Sequence, residues 1–206
     1  MQFKINRKSK HLVLTSKQGR QEYVVTVLLE GLAEKNLDDI FSKLEKISGR
    51  ILVVPNMGYI FKDDKLVQDF AYYNGKFLKH NKVAIMTQGN FSVDDVEIYT
   101  YKEDNKYIFV RVGKLTIGII SDYVNAEDFN IEKLPDTISE ANIIIAPVKL
   151  APKLLSADFP VYIFLGDSDV FEKSTGITNY EKKDTLNIKK VDTGLISSRT
   201  IYVLEL

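Results

Sequence analysis

The 206-residue chain contains no cysteine and only two histidines, His11 and His80. Without thiols there is neither a disulfide framework nor a cysteine nucleophile, a composition that suits the cytoplasm. Zinc sites are built chiefly from His and Cys, with three protein ligands as the catalytic minimum. His11 lies in a basic run and His80 in the polar turn KHNK, neither beside carboxylates, so a zinc hydrolase is not expected. No run approaches the roughly 18 apolar residues of a membrane span, and MQFKINRKSK lacks the apolar core of a secretory signal. Basic and acidic residues number 28 each, so the molecule as a whole has no general attraction for nucleic acid or an anionic membrane. Phosphate-binding glycine loops and a GxSxG elbow are missing, and Gly166-Asp167-Ser168-Asp169 has the wrong spacing for the latter.

The chain does contain a globular balance, 45% hydrophobic and 27% charged, in a length that suits one domain over residues 1–206. Its organising stretch is Gln88 to Asp122. Val96, Ile98 and Thr100 alternate with Glu97, Tyr99 and Tyr101, and Ile108, Val110 and Val112 alternate with Phe109 and Arg111, the period of two expected of strands. Gly113-Lys114 suits a tight hairpin, and Leu115 to Ile120 ends apolar on both faces, which implies cover on both sides. Asp122 follows at the carboxyl end of that strand, where an acid either forms a turn or contributes to a site.

Upstream, strands are predicted at Phe3–Asn6, His11–Thr15 and Tyr23–Leu29, the last one central. Asn36 is placed to cap a helix whose apolar positions are Leu37, Ile40, Phe41, Leu44 and Ile47, ending at Gly49. Strands at Arg50–Val54 and Val83–Met86 flank a segment with helical spacing over Asp64–Lys79. Downstream, short helical turns over Asn130–Ala141 and Pro152–Ala157 alternate with buried strands at Ile143–Ile145 and Val161–Leu165. Leu186–Val191 and Thr200–Leu206 read as a closing antiparallel pair.

Charge is unevenly spread. Residues 1–21 carry Lys4, Arg7, Lys8, Lys10, Lys17 and Arg20 and no acid, whereas residues 121–140 carry six acids against Lys133 alone. A basic hairpin can touch a phosphate backbone or an acidic partner, but lysines on an edge hairpin also discourage edge-to-edge aggregation, and the second meaning is the expected one.

The segments QGNFSVDDVEIYTY, NKYIFVRVGKLTIGIISDY, ISEANIIIAPV and LNIKKVDTGLISSRTIYVLEL, in that order, resemble the metallo-β-lactamase fold, in particular its small stand-alone hydrolase-like members. The resemblance implies a four-layer αββα sandwich of two mixed sheets flanked by helices. It covers residues 80–206, with residues 1–79 matched by element order. The family's His-x-His-x-Asp-His motif follows an apolar strand; here RILVV is followed by Pro55-Asn56-Met57-Gly58-Tyr59-Ile60-Phe61. That places Asn56, Gly58, Ile60 and Phe61 at ligand positions, matches Asp122 to the bridging acid, and puts the terminal metal-binding histidine near Gly166. One carboxylate cannot hold Zn²⁺ against water. The resemblance thus implies the scaffold without its chemistry: a metal-free, catalytically inactive module for binding or assembly, with no cofactor. Its remnant pocket is expected around Asn56, Tyr59, Tyr101, Asp122 and Gly166, its partner another protein or a second copy, and membrane association is not expected. Two rivals stand beside it. One is a divergent hydrolase using an oxygen-ligated metal or Asp122 itself. The other is nucleic-acid or ribonucleoprotein association through residues 4–20.

Overall fold

A computed structural model describes residues 2–8, 11–18, 20–29, 37–54, 82–86, 88–101, 106–188 and 199–205. Two sheets face each other. The first has six strands in the order β13-β1-β2-β3-β4-β5: β1 (Gln2–Lys8), β2 (His11–Gln18), β3 (Gln21–Leu28), β4 (Ile51–Val53), β5 (Val83–Ile85) and β13 (Thr185–Ile188). The second has eight in the order β12-β14-β11-β10-β9-β8-β7-β6: β6 (Gly89–Val93), β7 (Val96–Thr100), β8 (Tyr107–Val112), β9 (Leu115–Ile120), β10 (Ile143–Pro147), β11 (Val161–Leu165), β12 (Glu181–Lys183) and β14 (Thr200–Leu204). Both are mixed. In the first, β3, β4 and β5 run parallel and the rest antiparallel. In the second, the five strands from β9 to β12 run parallel and β8, β7 and β6 antiparallel.

Strand periodicity explains the layering. Ile5, Leu12, Leu14, Val25, Val27, Ile51 and Val53 from the first sheet meet Ile98, Val110, Ile117, Ile119, Ile145, Ile163 and Leu165 from the second, forming one shared apolar layer. Alternate residues of the second sheet, among them Phe109, Ile120, Ile144, Tyr162, Phe164 and Val203, turn outward under the short helices α2 (Asp136–Ser139), α3 (Ala151–Leu154) and α4 (Ser168–Thr175). Ile119 and Ile120 fall in different apolar layers, so β9 is covered on both faces, as its sequence implies.

On the far side of the first sheet lies α1 (Leu37–Lys46), with Asp38 and Asp39 in its first turn and Lys43 and Lys46 in its last, the polarity its dipole favours. Phe41 and Leu44 are its buried anchors. Its carboxyl end is satisfied from outside. Lys82 Nζ donates to the carbonyls of Glu45 and Ile47 at 2.7 and 2.8 Å, and burial pulls this ammonium below its ordinary pKa against the opposing pull of Glu45. Thr26, fully buried on β3, donates its hydroxyl to the Ser48 carbonyl at 2.6 Å. Close packing follows: a Cβ on Gly49 would lie 2.6 Å from Thr26 Oγ1, and Gly49 has φ +118°.

Two expectations are corrected. Leu186–Val191 and Thr200–Leu206 do not pair: β13 lies antiparallel to β1 in the first sheet, and β14 lies parallel between β11 and β12 in the second. The basic hairpin is not an edge, because β13 flanks β1 and β3 flanks β2. Strands β6 and β12 and helix α4 were not expected at all. The Asp64–Lys79 helix and the Asn36 cap lie outside the described residues.

Replacing Gly49 with alanine adds both a steric clash and left-handed strain, so Gly49→Ala is expected to lower stability by about 1–3 kcal/mol in urea titration.

Candidate functional site

In layered α/β sheets, sites form beyond the carboxyl ends of parallel strands. Register defines that edge here. Ile119, Ile145 and Ile163 are paired across β9, β10 and β11, and Leu165 is paired with Pro147 and Leu204. The next residues out are Ser121 and Asp122 after β9, Val148 after β10, Gly166 after β11 and Glu205 after β14. Asp122 and Gly166 therefore stand level, two strands apart. Tyr101 comes to the same edge, its N–H donating to the Tyr107 carbonyl at 3.1 Å while Tyr107 pairs with Ile120. Its hydroxyl is bonded to Thr137 at the start of α2.

The first sheet shares this polarity. Arg50, just before β4, reaches Asp94 of the β6–β7 turn at 2.5 Å, and Tyr23 at the start of β3 donates to Asp95 at 2.5 Å. The amino ends of β3 and β4 thus lie by the amino end of β7. Their carboxyl ends, including Val54, lie at the Asp122 edge. Asn56 and Tyr59 lie outside the described residues, as do Gly58, Ile60, Phe61 and His80. The 410 Å³ cleft lined by Tyr23, Arg50, Asp94 and Asp95 belongs to the opposite end of the sandwich.

Two solved structures are similar to this chain. One, named as a candidate Zn-dependent hydrolase of the metallo-β-lactamase superfamily from Thermotoga maritima, superimposes with a TM-score of 0.60 at 14% identity, over 99% of this chain and 100% of that one. The chain has the metallo-β-lactamase fold. The metallo-β-lactamase fold protein YhfI from Bacillus subtilis gives a TM-score of 0.47 at 10% identity, over 98% of this chain and 96% of that one. No protein-family model and no curated protein matches the sequence.

The metal that this fold family implies can be tested against the side chains present. Among the described residues no group of three or more His, Cys, Asp or Glu could hold a metal ion. His11 reaches the level of the carboxyl edge, opposite Leu28, but alternates with the inward Leu12 and Leu14 and so faces the outer side of the first sheet. Gly166 offers no ligand and no room for one: at φ +150°, a Cβ there would lie 2.9 Å from Val148 Cγ2. Asp167 is spent as the cap of α4, with Oδ1 accepting from the N–H groups of Asp169 at 2.7 Å and Val170 at 3.3 Å. Lys149 Nζ donates to the Asp122 carbonyl at 2.6 Å, so a cation of the protein already stands at the acid's backbone. The described residues do not fit a zinc centre.

A polar cluster beside Gly166 carried no sequence signal. Glu205 accepts from the Ser168 N–H at 3.1 Å and from the Ser168 hydroxyl, and pairs with Lys182 at 2.6 Å; Lys182 also donates to Ser168 Oγ at 3.2 Å. A buried serine beside a lysine, at a strand–turn–helix junction, has the parts of a nucleophile and base. Its electrostatics oppose that use. The bond to Glu205 raises the Lys182 pKa, so the amine stays protonated, and Ser168 is only 4% exposed. The cluster instead ties the last strand to the amino end of α4.

Ser121 is different. It continues the inward face of Leu115, Ile117 and Ile119 to the mouth between the sheets, is 1% exposed, and its hydroxyl has no hydrogen-bond partner among the described residues. Leaving a buried hydroxyl unpaired costs about 1–3 kcal/mol.

Lys182 and Ser168 hold the Glu205 pKa down to about 2, from 4.5. A depressed carboxylate contributes stability that is present above its unfolded pKa and lost as pH falls through the folded one. The stability gap between wild type and Glu205→Gln is therefore expected to be full at pH 6 and to close between pH 4.5 and about 2, read from urea midpoints across that range.

Proposed function

We propose that this chain is a non-catalytic, metal-free member of its fold that works as a binding or assembly module inside the cytoplasm, as one domain. The observation that carries this reading is the donor inventory: two histidines, no cysteine, and the carboxylates of Asp167 and Glu205 spent on a helix cap and on Lys182. Hydrolysis in this architecture needs a metal to lower the pKa of a bound water, and that needs at least three good ligands.

We place the remnant pocket at the carboxyl edge marked by Tyr101, Asp122 and Gly166; Asn56 and Tyr59, expected with them, lie outside the described residues. Ser121 joins it. A buried hydroxyl without a partner among the described residues, at the mouth between two sheets, supports occupation of that mouth by a polar group of a ligand or partner.

Metal analysis by inductively coupled plasma, on protein purified without chelator, tests the reading. The expected result is less than about 0.1 equivalent of zinc, manganese or iron, unchanged in Asp122→Ala. Stoichiometric metal that is lost in Asp122→Ala would replace the module with a divergent hydrolase using an oxygen-ligated site.

A further inference from the structure

We propose that the outer face of β13–β1–β2 is a docking surface for the phosphate backbone of a nucleic-acid duplex. This surface is separate from the carboxyl edge, so its failure leaves the reading above untouched.

Charge protection of a sheet edge does not explain the lysines here. Lys4 lies on β1, between β13 and β2, and Lys17 on β2, between β1 and β3. Both are exposed, and neither strand offers an open edge to protect. The register sets out the face: Asn187 stands opposite Lys4, which stands opposite Thr15, and Thr185 stands opposite Asn6, which stands opposite Val13. These side chains alternate with the inward Ile5, Leu12, Leu14 and Leu186. Arg20 is exposed at one end of the β2–β3 hairpin, and the backbone positions of Arg7 and Lys8 close the other. On this side of the sheet Ser48 and Gly49, after α1, press on Thr26 of β3.

Among the described residues the acids that border this face are Glu22, paired with Lys17 at 3.3 Å, and Asp184, at the corner before β13, while α1 over the same sheet carries Asp38, Asp39 and Glu45. Both Lys17 and Glu22 are about half exposed, and such pairs contribute little. His11, partly buried on the same face, has its pKa lowered by desolvation and adds no charge at neutral pH. The acids of residues 121–140 belong to the opposite outer layer, above the second sheet. In a net-neutral chain the positive charge of this hairpin comes from residues 1–21, six bases and no acid, which favours a polyanion.

The uncharged members choose among polyanions. Asn6, Thr15, Thr185 and Asn187 are short hydrogen-bonding groups of the kind that contact phosphate oxygens. Among the described residues the face has no aromatic anchor of the sort that nucleates a protein interface, and Arg20 stands at the hairpin end away from its centre. The face likewise lacks the aromatic platforms on which single-stranded bases stack. What remains is backbone contact along a strand of about 25 Å, a length that spans many duplex phosphates.

The test is fluorescence anisotropy of the full chain with a labelled mixed-sequence DNA duplex of about 30 bp and with its single strand, from about 50 to 200 mM salt. The duplex is expected to bind more tightly than the single strand, with a slope of log K against log salt between about −2 and −5. Lys4→Glu with Lys17→Glu should weaken binding about tenfold or more at the lowest salt, and the neutral pair Lys4→Gln with Lys17→Gln by a smaller factor, with melting temperatures confirming both fold. Lys173→Glu, exposed on α4 in the opposite layer, should leave binding unchanged. No duplex binding at 50 mM salt, equal binding by folded double variants, preference for the single strand, or displacement by poly-glutamate as effective as by duplex at equal charge would each overturn the proposal.

Discussion

The apolar layer shared by the two sheets is the constraint on which the rest of this molecule depends. Each inward Ile, Leu or Val contributes roughly 1.5–3 kcal/mol on burial, and strand alternation supplies a full row of them from every strand. A register shift by one residue would exchange that row for the polar or helix-facing one. Because Ile117, Ile119, Ile145 and Ile163 must face inward together, the ends of their strands fall level. Asp122, Val148 and Gly166 are brought side by side as a consequence.

Lysines then fix what the sheets leave open. Lys82 serves the last carbonyls of α1, Lys149 the Asp122 carbonyl, and Lys153 the carbonyls of Glu127 and Phe129 at 3.0 and 2.9 Å. Each ammonium satisfies backbone oxygens at the end of a helix or in an irregular connection. Of the three, Lys149 stands at the carboxyl edge, beside Asp122. Glu205 follows the same logic from the other side, as an anion set against the N–H of Ser168 and the ammonium of Lys182.

Elements with a strong internal pattern were legible. The alternating strands β7, β8 and β9 and the amphipathic α1 carry their burial in their spacing. The misses share a physical cause. Strand β12 is Glu-Lys-Lys, exposed at every position, and is held by pairing to β14 alone. Helix α4 buries only Ser168 and Phe171, too few to set a period over eight residues. Strand β6 exposes alternate residues of Gly-Asn-Phe-Ser-Val and has weak apolar contrast. The two carboxy-terminal strands were recognisable as strands, yet their partners were not, since pairing is chosen by contacts from distant segments.

The sequence by itself set the donor inventory: two imidazoles and no thiol exclude cysteine-based and three-histidine zinc centres. It also determined the asymmetry of charge and the strands that bury both faces, because composition and period are local properties. Only the tertiary structure decided that Val148 closes the space at Gly166, that the Ser121 hydroxyl is buried without a partner among the described residues, and that β1 and β2 are interior strands. Those outcomes depend on which distant backbones lie within hydrogen-bonding reach of one another, and no local pattern encodes that choice.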